Sequence, residues 1–192
     1  MIIGITGNSG SGKSEISKIL SSKIDAEIID ADRVVKELSE PGNKYYKKII
    51  ELFGEEILNN NGLNKKQIAQ IIYTNEKKRK ELNLITYKYV VEEIKNEAMK
   101  VQKPNVIIDA PLLFESGLDK ICDFIIGVIA DRNNKINRIC KRDNIDENIA
   151  EQRLNIQADD DYYIQRADYI IKNNGKIEEI NMEELCTRIG MS

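Results

Sequence analysis

A glycine-rich segment near the amino end is the feature that most constrains how this chain can fold. Residues 7–14 read Gly-Asn-Ser-Gly-Ser-Gly-Lys-Ser, which fits the phosphate-loop pattern of Gly, four residues, Gly, Lys and then Ser or Thr. The β-branched run Ile2 to Thr6 predicts a strand before it, and apolar residues at Ile16, Leu20 and Ile24 predict a helix after it. A phosphate loop joins a strand to a helix, so both flanks agree with the motif.

The residues of this segment suit a bound triphosphate in both geometry and charge. Glycines permit positive φ and carry no Cβ, so the backbone N–H groups can turn toward phosphate oxygens. The dipole of the following helix favours the same negative charge. We expect Lys13 to reach the β- and γ-phosphates and the Ser14 hydroxyl to ligate the accompanying Mg²⁺ ion. The predicted nucleotide-binding residues are Gly10, Ser11, Gly12, Lys13, Ser14 and Glu15.

Composition narrows the chemistry and the partners. The 192 residues include no histidine, so a general base that works near neutral pH has to be a carboxylate, lysine, tyrosine or thiol. The net charge of -3 gives no overall basic surface, so we do not expect nucleic acid as a partner. The longest apolar runs are of strand length, which predicts neither a membrane span nor a signal peptide and favours a cytoplasmic protein. The three cysteines lack metal-ligand spacing and are interpreted as apolar fillers.

Aspartates follow two of the predicted strands. Glu27 to Ile29 reads as a short strand that ends in Asp30 and leads to Asp32, and Val106 to Ile108 reads as a strand that ends in Asp109. In open parallel sheets ligands bind beyond the carboxyl ends of the strands, so we expect Asp30 and Asp32 to face the same crevice as the phosphate loop. Asp32 is then a candidate general base or metal-organising residue, with an N-cap role as the alternative. Asp109 is a candidate Mg²⁺ ligand, with a cap or turn role as the alternative.

The remaining apolar patterns predict further strands and helices, as expected of an α/β fold. Cys122 to Ala130 and Tyr169 to Ile171 read as strands, while residues 64–73 and 76–101 read as helices inserted between the second and third strands. This helical insertion suggests a substrate-holding lobe, although the apolar stripe on its second helix is also what plain core packing produces. The apolar stretch Ala110 to Gly117 follows a strand of the expected site and suggests a pocket wall.

A basic helix follows the fourth predicted strand. From about Asn133 it carries Lys135, Arg138 and Arg142 on one side, at spacings of three and four residues. Arginines on one face suggest a lid that closes over the triphosphate and neutralises charge during transfer. A solvated face that pairs with nearby acids is the alternative. The remaining predicted elements are a helix at 147–155, an exposed or capping acidic turn at 159–161, and a closing helix at 176–189.

Several short motifs accompany the phosphate loop in order along the chain. They are Gly4-Ile5-Thr6-Gly7, Gly10-Ser11-Gly12-Lys13-Ser14, Asp30-Ala31-Asp32, Glu40-Pro41-Gly42, Pro111-Leu112-Leu113-Phe114-Glu115, Arg138 with Arg142-Asp143, Gln157, Ala167-Asp168-Tyr169-Ile170-Ile171 and Asn174-Gly175. In order and spacing they resemble the dephospho-coenzyme A kinase family over nearly the whole length. A phosphate loop alone indicates a superfamily, and the Asp-Ala-Asp and Pro-Leu-Leu-Phe-Glu segments narrow the resemblance to this family.

The resemblance implies a fold, a reaction and a set of ligands. The fold is the α/β P-loop kinase fold, in which helices flank a five-stranded parallel sheet. It implies a single kinase domain over residues 1–192, with an inserted CoA-binding lobe at about 58–103 and a lid at about 133–166. The reaction transfers the γ-phosphate of ATP, with Mg²⁺, to the ribose 3′-hydroxyl of dephospho-CoA, the last step of CoA biosynthesis. The implied partner is a small-molecule substrate, and a monomer is compatible with the sequence.

The resemblance also assigns site residues. Asp32 matches the family's proposed general base, and Lys13 belongs to its phosphate loop. Arg138 and Arg142 match its lid arginines, which gives four candidate catalytic residues. Asn174-Gly175 matches a loop near the adenine, and Ser14 with Asp109 remains the predicted pair of Mg²⁺ ligands.

Two alternative functions remain open at the level of sequence. A kinase for another small acceptor, such as a nucleoside or nucleoside monophosphate, would share the loop, the sheet and the lid. A nucleotide-dependent switch or binding protein would hold a triphosphate without an acceptor. A guanine-specific switch should carry Asn-Lys-x-Asp, whereas Asn134-Lys135 is followed here by Ile136-Asn137.

Overall fold

The computed structural model describes residues 1–60, 62–175 and 179–190. It separates into a sheet unit, Met1–Ile29 with Val101–Ser192, and a helical unit, Asp30–Lys100. The strands in chain order are β1 (Ile2–Thr6), β2 (Ala26–Asp30), β3 (Leu58–Asn59), β4 (Gly62–Leu63), β5 (Asn105–Asp109), β6 (Phe124–Ile129) and β7 (Tyr169–Lys172). The helices in chain order are α1 (Lys13–Ile24), α2 (Ala31–Leu38), α3 (Lys44–Phe53), α4 (Lys65–Thr74), α5 (Glu76–Lys100), α6 (Leu113–Ser116), α7 (Arg132–Asp143), α8 (Glu147–Asn155), α9 (Asp160–Ile164) and α10 (Met182–Arg188).

Five of the described strands form a parallel sheet in the order β2-β5-β1-β6-β7, which confirms the predicted fold class. β1 is the middle strand, and its residue Ile3 pairs with Ile107 of β5 and Phe124 of β6. β5 is buried along its whole length, as expected of a central strand covered on both faces. Ile5 pairs with Asp109, so the carboxyl end of β5 lies beside the start of the phosphate loop.

The main core of the sheet unit packs α1 and α10 against the sheet. Ile16 and Leu20 of α1 and Leu185 of α10 are fully buried, together with Ile3 and Ile126 of the strands. Burying each such side chain stabilises the fold by about 1.5–3 kcal/mol. This packing fixes the axis of α1, and with it the position where the phosphate loop must end.

A second, smaller core joins α7 to α8. Ile136 and Ile139 of α7 are buried against Ala150 and Leu154 of α8. Because these two helices form most of the predicted lid, their basic residues are carried on one packed pair of helices rather than on a loop.

The helical unit has its own core. α3, α4 and α5 surround Tyr45, Ile49, Phe53 and Ile68, and the Tyr45 hydroxyl lies 3.0 Å from Thr86 Oγ1. The apolar stripe on α5 contributes Leu82, Ile85 and Tyr89 to this cluster, so the stripe is core packing. Among the described residues, no helix has both the length and the apolar character to cross a membrane.

Most predicted elements occur within about two residues of their expected bounds. The short elements of the described residues that the sequence patterns do not predict include the β3–β4 hairpin, α6, α9 and the 3-10 helices Glu55–Ile57 and Leu118–Ile121. α9 begins inside the segment expected to be an acidic turn. The closing helix is α10, and the first part of its predicted range, 176–178, lies outside the described residues.

Candidate active site

The phosphate loop leaves the carboxyl end of β1 and leads into α1. Gly10 and Gly12 have φ of +76° and +95°, a region that glycine adopts without strain. A Cβ on Gly12 would lie only 2.1 Å from the Nδ2 atom of Asn173, so this turn requires glycine sterically as well. Gly12 also precedes α1 and provides no side-chain cap for its first turn, an arrangement that suits a bound anion.

The loop holds Lys13 and presents Ser14 to solvent. Lys13 is only 9% exposed, and its Nζ donates a hydrogen bond to the backbone oxygen of Asn8 at 3.1 Å. Ser14 and Glu15, in the first turn of α1, are exposed. The ammonium group therefore lies within the loop itself, and the neighbouring hydroxyl is accessible to a ligand.

Asp109 lies at the carboxyl end of β5 and is buried. The Ser17 hydroxyl lies 3.2 Å from Asp109 Oδ2 and 3.0 Å from the backbone oxygen of Lys13, so its single proton is shared between these two acceptors. Ser17 follows Ser14 by three residues, so both lie on the same face of α1. Because Ser17 contacts Asp109, Ser14 and Asp109 both lie near the N-terminal end of this helix. The described residues contain no cluster of three or more potential metal ligands from acidic or cysteine side chains. Mg²⁺ commonly takes one or two protein oxygens and completes its shell with phosphate and water, so this hydroxyl and carboxylate fit it.

Arg138 of α7 is hydrogen-bonded to the outside of the phosphate loop. Its Nη1 donates to the backbone oxygens of Gly10 and Ser11, at 3.2 and 3.3 Å. Its Nη2 donates to the backbone oxygen of Asn173 at 3.0 Å. Arg138 therefore connects the loop to the segment after β7, a contact that its position on a polar helix face did not predict.

Arg142 lies one turn further along α7 and contacts the loop at Ser9. Its Nη2 donates to Ser9 Oγ at 3.2 Å, and its Nε donates to Asp143 Oδ1 at 2.7 Å. Arg153 of α8 pairs with the same carboxylate. The hydrogen bond from Arg142, with the further charge of Arg153, lowers the pKa of Asp143 to about 2. The Asp143 carboxylate thus pairs with two arginines, of which Arg142 contacts the loop.

The segment after β7 approaches the loop through Asn173, which sequence reasoning missed. The Asn173 side chain is 3% exposed, and its Nδ2 donates to the backbone oxygen of Ser11 at 2.8 Å. The next residue, Asn174, accepts from the backbone N–H of Asp131 through Oδ1 at 2.7 Å. Asn174 and Gly175 also line a cavity of about 390 Å³ beside β7. No sequence pattern indicates that Asn173, rather than the adjacent Asn174, contacts the phosphate loop.

Asp32 lies in the first turn of α2, where the helical unit begins. The N-cap of this helix is Asp30, whose Oδ1 accepts from the backbone N–H groups of Asp32 at 2.8 Å and Arg33 at 3.3 Å. Arg33 in turn pairs with Glu97 of α5 and fixes α2 within the helical unit. The capping alternative considered for Asp32 is therefore wrong, since Asp30 has that role.

Lys135 is the residue whose environment differs most from the prediction. Helical spacing predicts that it lies with the arginines on the polar side of α7. In the structure it is only 6% exposed and pairs with Asp160 of α9. Asp160 is accordingly neither an exposed residue nor a cap, whereas Asp159 caps α9 by accepting from the backbone N–H of Tyr162. The sequence pattern contained no signal for this pair, because charged residues at helical spacing usually face solvent.

Several solved structures have a fold similar to that of this chain. A crystal structure from Thermus thermophilus aligns with a TM-score of 0.84 at 23% identity, covering 100% of this chain and 98% of that one. The dephospho-CoA kinase from Campylobacter jejuni aligns with a TM-score of 0.68 at 23% identity, covering 98% and 96%. At these identities the likeness concerns the fold alone. With the phosphate loop at the end of β1, the fold is that of a P-loop kinase.

Sequence comparisons identify the family. The model of the dephospho-CoA kinase family matches residues 1–179. The dephospho-CoA kinase of Fusobacterium nucleatum is 38% identical over 192 residues, which covers 98% of each chain. This chain therefore belongs to the dephospho-CoA kinase family, whose reaction is the ATP-dependent phosphorylation of dephospho-CoA in CoA biosynthesis.

Proposed function

We propose that this chain transfers the γ-phosphoryl group of ATP to the ribose 3′-hydroxyl of dephospho-CoA, yielding CoA and ADP. The observation that carries the proposal is the family match over residues 1–179, and the positive φ of Gly10 and Gly12 in the phosphate loop supports it. In the reaction the 3′-oxygen forms a bond to the γ-phosphorus, the bond between that phosphorus and the β,γ-bridging oxygen breaks, and the hydroxyl proton passes to a base.

The triphosphate is assigned to residues 10–15 and to the basic side chains around them. Lys13, held inside the loop, supplies positive charge to the transferring group, and the N–H groups of Gly10 and Gly12 supply dipoles. Arg142 carries a further charge at the Ser9 edge. Arg138 is assigned as a lid arginine, and in this structure its guanidinium group donates to the backbone oxygens of Gly10 and Ser11. The adenine is assigned to the cavity beside Asn174 and Gly175.

Mg²⁺ is assigned to Ser14 and Asp109. The accessible hydroxyl and the buried carboxylate lie at the same end of α1, and both offer the oxygen atoms that this ion prefers. When bound, the ion neutralises negative charge on the β- and γ-phosphates. Ser17 keeps the Asp109 carboxylate oriented toward α1.

Asp32 is assigned as the general base that accepts the 3′-hydroxyl proton. The sequence contains no histidine for this role, and Asp30 provides the helix cap, so Asp32 is not needed for capping. The proposed acceptor lobe, about 58–103, consists largely of α4 and α5, and the proposed lid, about 133–166, consists of α7, α8 and α9.

The first experiment measures ADP release from ATP and Mg²⁺ with a panel of acceptors. Dephospho-CoA should stimulate release strongly, whereas uridine, cytidine monophosphate and shikimate should not. Stimulation by one of the other acceptors would assign the chain to a different small-molecule kinase. Slow hydrolysis that no acceptor stimulates would favour a nucleotide-dependent switch.

A second experiment tests the base. Asp32→Asn should retain ATP binding and lose turnover by about 10²- to 10⁴-fold, the usual contribution of a general base. Asp30→Asn is the matched control, because asparagine retains an oxygen that can cap α2. Near-normal turnover in Asp32→Asn, or an equal loss in Asp30→Asn, would contradict the assignment.

A further inference from the structure

The segment Gln157–Asp160, which we call the clamp segment, lies directly against the first half of the phosphate loop. The backbone N–H of Ser9 donates to Gln157 Oε1 at 2.9 Å, and Asn8 Nδ2 donates to the backbone oxygen of Ala158 at 2.9 Å. The second half of the loop is held separately, through Arg138. The shape of the loop at Asn8 and Ser9 therefore depends on the position of the clamp segment, together with the bonds from Arg142 to Ser9 Oγ and from Lys13 to the backbone oxygen of Asn8.

Asn8 makes this dependence strong. Its side chain is 5% exposed, and within the described residues its Oδ1 has no hydrogen-bond partner. The bond from Nδ2 to Ala158 thus anchors an amide that is otherwise poorly satisfied. If the clamp segment moved away, a buried polar side chain would lose that bond, which is unfavourable unless the loop rearranges.

Lys135 and Asp160 fasten the clamp segment. Lys135 Nζ donates to Asp160 Oδ1 at 2.8 Å, and the lysine side chain is 8% exposed while that of the aspartate is 35% exposed. A lysine this buried requires a partner for its charge. Asp160 is two residues after Ala158, so the ion pair fixes the segment next to the bond that Asn8 makes.

Lys135 also contacts the other half of the loop through its backbone. A Cβ on Gly10 would lie 2.5 Å from the backbone oxygen of Lys135, which shows how closely α7 approaches the loop at this point. Lys135 thus meets Gly10 through its backbone and restrains Asn8 and Ser9 through Asp160. These two contacts connect both halves of the phosphate loop to one turn of α7.

We propose that Lys135 and Asp160 are positioning residues, which hold the clamp segment against the phosphate loop and keep the loop shaped for a triphosphate. This inference rests on the proposed function only in taking ATP as the nucleotide. A preformed loop lowers the cost of ordering the site when the triphosphate binds. The pair should therefore affect ATP binding and leave the affinity for the acceptor largely unchanged.

The test uses Lys135→Met, Asp160→Asn and the double variant, with ATP affinity measured by titration calorimetry in the absence of acceptor. Each single variant should weaken ATP binding about tenfold, the effect of losing one interaction of ordinary strength with a charged group. The KM for dephospho-CoA should change by less than about twofold. Lys141→Met, an exposed lysine on the same helix, is the control and should bind ATP as the unmodified protein does.

The double variant separates positioning from a purely structural role. Asp160→Asn leaves the buried charge of Lys135 without its partner, so it should lower the melting temperature. Combining it with Lys135→Met leaves no unpaired charge and should restore most of that loss, while ATP binding stays about tenfold weaker.

Two results would overturn the inference. One is unchanged ATP affinity in Lys135→Met. The other is an affinity that recovers together with the melting temperature in the double variant. Because the readout is ATP binding without acceptor, a failure to phosphorylate dephospho-CoA would contradict the proposed function without deciding this test.

Discussion

Replacing Gly10 with alanine tests whether the shape of the phosphate loop depends on its contact with α7. Gly10 has φ of +76°, and an added Cβ would meet the backbone oxygen of Lys135 at 2.5 Å and its Cα at 3.0 Å. An ordinary carbon–oxygen contact is about 3.3 Å or longer. Either the loop or α7 must therefore shift by most of an ångström, and both contacting atoms belong to backbone, which cannot rotate away.

Two costs add at Gly10. The left-handed conformation costs an alanine about 1–2 kcal/mol, and overpacking against a fixed neighbour costs about 1–3 kcal/mol. Gly190 is the matched control, because it has the same φ of +76° and no described atom lies within 4 Å of its added Cβ. Gly190→Ala should show only the conformational cost. The difference between the two variants, about 1–3 kcal/mol, isolates the contact with Lys135.

Two assays show where that difference appears. If the loop shifts, ATP affinity in Gly10→Ala should fall by about 5- to 150-fold while Gly190→Ala binds normally. If the loop stays in place, the free energy of unfolding measured in urea should fall by about 1–3 kcal/mol more than in Gly190→Ala. The reasoning would be refuted if Gly10→Ala bound ATP normally and also unfolded like Gly190→Ala.

Two further predictions concern stability in urea. Ser17→Ala should lower the free energy of unfolding by about 1–3 kcal/mol, because it removes a hydrogen bond to the buried carboxylate of Asp109. Ser22 is exposed on the same helix, so the control variant Ser22→Ala should change the free energy of unfolding by less than about 0.5 kcal/mol. Equal effects of the two variants would contradict this role of Ser17. Burial raises the pKa of Cys122 to about 12 from an ordinary 9.0, so the thiol ionises in the unfolded chain first and stability should fall as the pH rises above 9. Cys122→Ala should remove about 1 kcal/mol of the fall between pH 8 and 10, and an unchanged fall would show that the Cys122 thiol is not its cause.

The parts of this fold that the sequence predicted are those encoded by local patterns. The strand before the phosphate loop, the loop itself and α1 follow from residues that are adjacent in the chain, and their bounds agree closely with the structure. The buried strand ending in Asp109 was predicted for the same reason, since a continuous apolar run is typical of a central parallel strand. The predicted roles of the site residues remain predictions, which the proposed variants and acceptor assays address.

The parts that the sequence did not predict depend on long-range packing. Asn173 and Asn174 are adjacent and chemically identical, yet the first is buried against the loop and the second accepts from the backbone of Asp131. Likewise, Lys135 lies three residues before Arg138, and helical spacing could not distinguish a buried ion pair from a solvated charge. The ion pair that Lys135 makes depends on the position of α9, which no local pattern in the sequence indicates.

The unpredicted contacts share one physical cause. A loop that directs its N–H groups toward phosphate has to turn its carbonyl groups outward, where each needs a donor from elsewhere. Gly10 O accepts from Arg138, and Ser11 O accepts from both Arg138 and Asn173. Arg138 and Asn173 are 128 and 162 residues away in sequence from the loop residues that they contact. The motif therefore predicts that such donors must exist, but the packing of α7 and β7 on the sheet decides which side chains they are.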